Sequence, residues 1–524
     1  MFTETEITLD EIRAKGRKVV RKDGKQILLI FAGERVFALA NRCPHEGYPL
    51  SEGTLSPGCL LTCNWHNWKF DLGTGAALVG RDPVRTYPVE LRGEGIFVDL
   101  ADPPAEAQRA RALEGLDAAM TDNDMARMAR EMARLERVDF DARSALVHAI
   151  AARNAKLEDG MTHAYAAAAD WLMLAERAPS TEKRLTALLE PVAHLAEDTR
   201  GADIFPYPEG VLEWNARSFV FAVEAEDEAK AVALVRGALA AGLTYSDLRP
   251  AFAEAALAHY ADFGHSAIYT FKTGQLIARL DDPQAMEPLL LALTRMLVRA
   301  TREERLPEFR FYEKALAAWD GEGGVRARAE NFIGASIDGA LKHTLASSGR
   351  DIRELYDALL GAAARNLLCF NRAFENATDG PIADNIGWLD FTHGLTFGNA
   401  CRHICVERPD LWPRALLQLA LFVGRNRKYV DAGQDVAHFK VNDRESFLAR
   451  EMAGLYDHGV PEPIIACHRL KVLCALEDEL AAAPDAPWAD AMCAAVNRYL
   501  NTPMKRHHGL RTATQALDFI DREA

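Results

Sequence analysis

The sequence predicts a multidomain chain, with a small all-β domain followed by a large all-α helical domain. Three observations carry this. Before residue 104, short runs of Val, Ile, Leu and Phe are bounded by Gly and Pro turns. The composition then breaks at the stretch Ala-Asp-Pro-Pro-Ala-Glu-Ala. Beyond the break, Ala, Leu, Glu and Arg dominate and the apolar residues recur at helical spacing.

In the first segment strands are expected at residues 26–31, 34–40, 59–62, 69–71 and 95–98. Residues 1–103 therefore form the β domain. Residues 104–140 read as a linker running into a helix, with helical text from about Leu113. Residues 141–524 read as one all-α domain of metal-binding, catalytic character, on grounds given below. Blocks such as Leu-Thr-Ala-Leu-Leu-Glu-Pro-Val-Ala-His-Leu and Met-Glu-Pro-Leu-Leu-Leu-Ala-Leu carry the helical period. At ~100–200 residues per domain, 524 residues leave ample chain for a large core.

Charge and composition exclude several classes. The 61 Lys and Arg against 76 Asp and Glu give a net charge of −15, a poor footprint for nucleic acid or an anionic membrane surface. No apolar run approaches the ~20 residues that span a bilayer, and the N-terminus lacks a secretory pattern. Nine cysteines are too few for a disulfide scaffold. A cytoplasmic protein is expected.

The strongest local signal is the pair Cys43-Pro-His45 and Cys63-Asn-Trp-His66, with 17 residues between His45 and Cys63. Each pair sits on a tight loop in a β context, so both can converge on one metal centre. A [2Fe–2S] cluster with two thiolates on one iron and two imidazoles on the other needs this inventory. A mononuclear zinc site could use the same residue types, but zinc fingers usually place their His pair on a helix. The loops resemble those of the Rieske family, and Trp65, Trp68, Phe70, Asp71 and Gly75 fit its second loop. The resemblance implies that Cys43 and Cys63 ligate one iron and His45 and His66 the other. Tyr48 and Trp65 stand where membrane-complex members carry a further disulfide, so the ferredoxin and oxygenase type is implied, at roughly −150 mV. Such a domain moves one electron, and its fusion to a second domain implies that the second domain consumes electrons.

The helical domain does not carry the features of a ring-hydroxylating oxygenase. No His-x₄-His flanked by Asp occurs, and the strands of that fold are missing. No Glu-x-x-His occurs anywhere, against a ferritin-like di-iron site. Instead, four apolar segments each open near a histidine, mostly followed by small residues: His163, His265, His393 and His468. Four such helices converging would give a nitrogen-rich site suited to iron, copper or zinc. Lys471 lies three residues after His468, on the same helix face. As an ammonium it cannot ligate a metal, whereas a carbamate formed with CO₂ could.

These segments, over about residues 140–480, resemble the questin-oxidase-like family of helical oxygenases. The best blocks are Ala466-Cys-His-Arg-Leu-Lys471 and Phe391-Thr-His-Gly-Leu-Thr396. The resemblance implies Baeyer–Villiger-type or ring-cleaving oxidation of anthraquinones and related aromatics. It implies metal ligation by His163, His265, His393, His468 and Lys471. His148, His259, His343 and His403 are reserve candidates for ligands or for groups that orient them. His507 and His508 read as a solvated loop, Arg425–Lys428 as a solvated helix end, and Tyr165, Tyr269, Phe271, Trp388 and Phe397 as candidate pocket walls.

The expected function is an iron-dependent oxygenase in which a [2Fe–2S] cluster delivers electrons to a non-haem metal that oxidises an aromatic or polyketide-like molecule. Its expected partners are an external reductase, O₂ and a small-molecule substrate, with no nucleic acid and no membrane. A homo-oligomer is expected, in which one subunit's cluster serves another's iron. The alternative is an electron-carrier or redox-sensing protein with a metal-free helical docking domain.

Overall fold

Three antiparallel sheets build the N-terminal part of the computed structural model, which describes residues 2–138 and 140–523. In the first, Gly95–Asp99 lies between Phe2–Thr8 and Val89–Arg92. The second runs Arg17–Lys22, Lys25–Ala32, Arg35–Ala40 and Thr86–Tyr87. The third runs Thr54–Ser56, Leu60–Thr62, Lys69–Asp71 and Ala77–Val79. The hairpin between the first two strands of the second sheet turns on Asp23-Gly24, both at positive φ, which matches strand twist.

The strand Lys25–Ala32 explains why its sequence is apolar without interruption. Leu28 and Ile30 pack on one face with Cys43, Cys63 and Phe70, while Ile27 and Leu29 pack on the other with Ile96 and Val98. Alternate side chains point to opposite faces, so a strand buried on both must be apolar throughout. The expected strands are present with ends shifted by a residue or so. Phe2–Thr8 and Arg17–Lys22 escaped the reading because both are edge strands, and edges carry charge.

The stretch expected as a linker is instead helical almost at once. Ala105–Thr121 follows Pro103-Pro104 directly, and Met125–Arg137 follows it. The prolines end the extended chain, and Ala, Glu, Gln and Arg are strong helix formers. Beyond this the chain is helical among the described residues. The chain divides into two compact units, Met1–Arg111 and Ala112–Ala524. Among the described residues, no helix is long and apolar enough to cross a membrane.

Four helices of the second unit matter most. His163–Glu176 packs against His265–Leu280 and Pro463–Ala482, and Trp388–Glu407 packs against the same two, closing a four-helix ring. The closure rests on small residues: Ala164 and Ala166 to Ala169 are buried in the first helix, and Ser266, Ala267, Gly394 and Ala466 in the others. Short side chains let backbones approach and leave the ring's polar interior to a few groups.

Candidate metal centres

In the β unit, the two Cys–His loops are near copies. Cys43 accepts from Gly47 and donates to Tyr48 through its backbone, and Cys63 does the same with Asn67 and Trp68. Gly47 and Asn67 sit at φ +77° and +60°, the left-handed region that Gly and Asn tolerate best. The loops bring His45 Nδ1 to 3.2 Å from His66 Nδ1, with both thiols buried behind them. Burial, and to a lesser extent the neighbouring Cys63, push the Cys43 thiol up to about 11. Thiolates in such a place need a metal's positive charge. Trp68 stacks on His45 at 4.7 Å and Trp65 on His66 at 5.4 Å. Glu46 lies 3.8 Å from His45 Nε2. Cys59 packs at the edge of this core and belongs to neither loop.

In the helical unit, the structure brings His163, His265, His393 and His468 together. His265 Nε2 lies 3.1 Å from His163 Nε2, and His468 Nε2 lies 3.2 Å from His393 Nε2. The rings of His265 and His393 are 4.5 Å apart, and those of His163 and His468 are 4.8 Å apart. His163 and His265 each begin their helix, whereas His393 and His468 are the sixth residues of theirs, a turn deeper than expected.

The outer nitrogens fix the tautomers. His468 Nδ1 donates to the Ile464 carbonyl at 2.7 Å and His265 Nδ1 to the Asp262 carbonyl at 2.5 Å. His393 leans likewise on the Leu389 carbonyl one turn back. The Nε2 atoms of His393 and His468 therefore present lone pairs to each other across 3.2 Å. Two acceptors so placed repel, and a cation between them removes the repulsion. The pattern of ring N–H groups held by carbonyls is that of metal-ligating histidine. Burial holds all four imidazoles below their ordinary pKa, His265 at about 4, so they are neutral and ready to ligate.

Lys471 is 1% exposed, and its Nζ meets no oxygen or nitrogen acceptor, with only the weak Cys467 thiol at hand. Burial pulls its pKa down, and its charge opposes protonation of all four imidazoles. A buried ammonium without an acidic partner is costly, which moves the balance toward the neutral amine. A neutral amine is the form that takes up CO₂ to become a carbamate.

The other candidates lie elsewhere. His148 is held by Asp117 at 2.9 Å, His259 by Glu304 and Glu224, and His403 by Asp478 at 2.6 Å, while His343 is exposed. None of these reserve histidines orients the centre. His458 pairs with Glu190, His438 packs on Phe439, and His507 is exposed. Of the expected pocket aromatics, only Tyr269 touches the site, its hydroxyl 3.2 Å from His163 Nδ1. Phe271 stacks on His403 instead, and Trp388 and Phe397 pack into the core.

Several supports were not legible beforehand. Asp262, Phe263 and Gly264 all have positive φ, forming a tight turn that aims His265. Arg425, expected in solvent, is mostly buried, lies 4.6 Å over the Phe263 ring and pairs with Asp390 at the start of the His393 helix. At Gly264, φ is +82° and a Cβ would meet Phe397 at 2.6 Å and Phe422 at 3.0 Å. Gly264→Ala should cost roughly 1–3 kcal/mol from backbone strain alone and shift His265. Thermal unfolding should show the loss of stability, and metal analysis a fall in metal at this centre with the cluster intact.

Next to that turn, Glu303 is 2% exposed, and burial and then Asp262 raise its pKa to about 8. The folded state thus binds a proton that the unfolded state has released above about 4.3. Its contribution is therefore full at low pH and is lost as pH rises through the window from there to about 8. Glu303→Gln should flatten that loss, stabilising the protein at pH 8 by roughly 1–3 kcal/mol and much less at pH 5. Denaturant titrations at the two pH values measure it.

A cleft of about 860 Å³ opens beside the centre, with His163, Tyr269 and His194 in its wall.

Comparison with known proteins places the first unit. The family model for the Rieske [2Fe-2S] domain matches residues 6–88. The ferredoxin subunits of 3-phenylpropionate/cinnamic acid dioxygenase from Shigella boydii and Escherichia coli K12 are each 35% identical over 88 residues, covering 16% of this chain and 83% of theirs. Among solved structures, the ferredoxin of carbazole 1,9a-dioxygenase from Nocardioides aromaticivorans IC177 is 29% identical. The alignment covers 19% of this chain and 96% of that one, with a TM-score of 0.18. The Sphingomonas yanoikuyae B1 ferredoxin is 26% identical, covering 16% and 86%, with a TM-score of 0.16.

Proposed function

The chain belongs to the Rieske [2Fe–2S] family through residues 6–88, and from that premise we propose that it is an oxygenase carrying its own electron-delivery domain. The cluster is held by Cys43, Cys63, His45 and His66. The second centre, held by His163, His265, His393, His468 and Lys471 as its carbamate, takes a non-haem iron. The substrate is an aromatic or polyketide-like small molecule, oxidised by Baeyer–Villiger-type, ring-cleaving or hydroxylating chemistry. An external reductase supplies the electrons.

The observation that carries this reading is the approach of His393 Nε2 to His468 Nε2 at 3.2 Å, each ring turning its other nitrogen to a backbone carbonyl, within a ring of helices. Four neutral nitrogens and one carboxylate-like oxygen form a donor set suited to iron. When bound, iron there supplies one-electron chemistry toward O₂. The protein's part is positional. The Asp262 and Ile464 carbonyls hold two rings, the Tyr269 hydroxyl meets a third, and buried alanines let the helices approach closely. The named relatives are ferredoxin subunits of a dioxygenase, which fits electron supply to an oxygenase. The likeness of the helical region to the questin-oxidase-like family supports the substrate class.

Reoxidation of the cluster tests the assignment. The protein is reduced with dithionite, freed of excess reductant, and mixed with O₂ while the cluster spectrum is followed. Reoxidation in His468→Ala should be at least ~10-fold slower than in the parent, because electrons lose their outlet. Equal rates would leave an electron carrier with an idle helical domain.

A further inference from the structure

We propose that the cleft beside the imidazole centre receives a neutral or cationic molecule that donates an O–H or N–H to His194, and that it turns carboxylates away. This rests on the reading above for the cleft's identity as the substrate site. At about 860 Å³ it has room for a molecule of several fused rings. His163 and Tyr269 in its wall place an occupant next to the centre.

His194, on the helix Thr181–Asp198, is 4% exposed and also lines the cleft. Among the described residues its ring makes no hydrogen bond. The nearest carboxylate oxygen, on Asp198, is 3.6 Å from Nε2, too far for one. A ring in the wall of an open cleft can exchange water for a polar group of the occupant. Burial disfavours the charged ring, so it is neutral. The Asp198 carboxylate favours the proton on Nε2, which leaves Nδ1 as an acceptor. An acceptor selects an O–H or N–H.

Charge sets the second half of the specificity. The carboxylates of Glu158, Glu197, Asp198 and Asp203 line the cleft with no Lys or Arg partner among the described residues, against one cation, Lys156. Two further acids at the rim are neutralised, Glu462 by Arg506 and Asp159 by Arg299. A cleft lined by one sign of charge concentrates the opposite sign and repels its own.

The test uses the full-length protein at pH 7.5 and four probes that share one ring system: 2-naphthol, 2-naphthylmethylamine, 2-methoxynaphthalene and 2-naphthoate. Titration calorimetry should find the first two at least ~10-fold tighter than the last two. His194→Phe should bring 2-naphthol down to the methoxy compound. Glu197→Gln with Asp203→Asn, both at exposed positions of the cleft lining, should narrow the gap between naphthoate and naphthol. Naphthoate binding as tightly as naphthol, naphthol keeping its advantage in His194→Phe, or no probe binding at all would overturn the inference. Iron is counted on the same samples. A shortage there sinks the oxygenase reading, while the probe ranking still judges this one.

Discussion

His393→Ala should remove the metal of the helical unit and leave the cluster spectrum unchanged. His393 sits at the middle of the centre: it is 8% exposed, its ring is 4.5 Å from that of His265 and 4.9 Å from that of His468, and its Nε2 faces that of His468. Removing one imidazole from a preorganised set should weaken metal binding by at least ~100-fold, beyond the 10–100-fold that groups behind the ligands contribute. It also deletes the repulsion between facing lone pairs. The metal-free variant should therefore unfold at a temperature no lower than that of the metal-free parent, despite the cavity left behind. Metal content, visible spectrum and unfolding temperature together separate loss of a ligand from loss of the fold.

Cys63→Ser should do the reverse. Cys63 is 1% exposed, lies against Cys43 in the β core, and sits in the loop whose turn Asn67 completes. A serine hydroxyl is a poor replacement for a thiolate on iron, so the cluster and its visible bands should vanish. The helical unit has its own core and its metal should stay, since the two units fold around separate clusters of apolar residues. Turnover with an external reductase should fall to the background rate, because the centre would hold metal without an electron supply. A variant that kept turnover would mean that electrons reach the helical unit by another route.

How much of this was legible in the sequence follows from how local each signal is. The cluster loops were readable because Cys43-Pro-His45 and Cys63-Asn-Trp-His66 are short motifs whose geometry is set within six residues. Helical periodicity marked the second unit, since Ala and Leu spacing is also local. The ring of histidines is non-local: His163 and His468 are 305 positions apart, and only the shared habit of a histidine near a helix start with small neighbours linked them. What could not be read was whatever depended on packing across helices. The turn at Asp262 to Gly264 looks like any loop in sequence, yet three successive positive φ values aim His265. Arg425 looked like a solvated helix end, but its partners Phe263 and Asp390 come from two other segments. His194 carried no pattern, because a lone histidine on an apolar helix face is usually core, and its place in the cleft wall emerges only from the fold. The reserve histidines failed for the opposite reason: each found a carboxylate or solvent through contacts that no spacing announces.

The central claim is that a transition metal lies among the four clustered imidazoles in addition to the two irons of the cluster. Metal analysis of the purified full-length protein, with iron, zinc and copper counted against protein concentration, tests it most directly. The account predicts three irons per chain, falling to two in His393→Ala and to one in Cys63→Ser. Two irons per chain in the parent with no other metal, unchanged by His393→Ala, would contradict it.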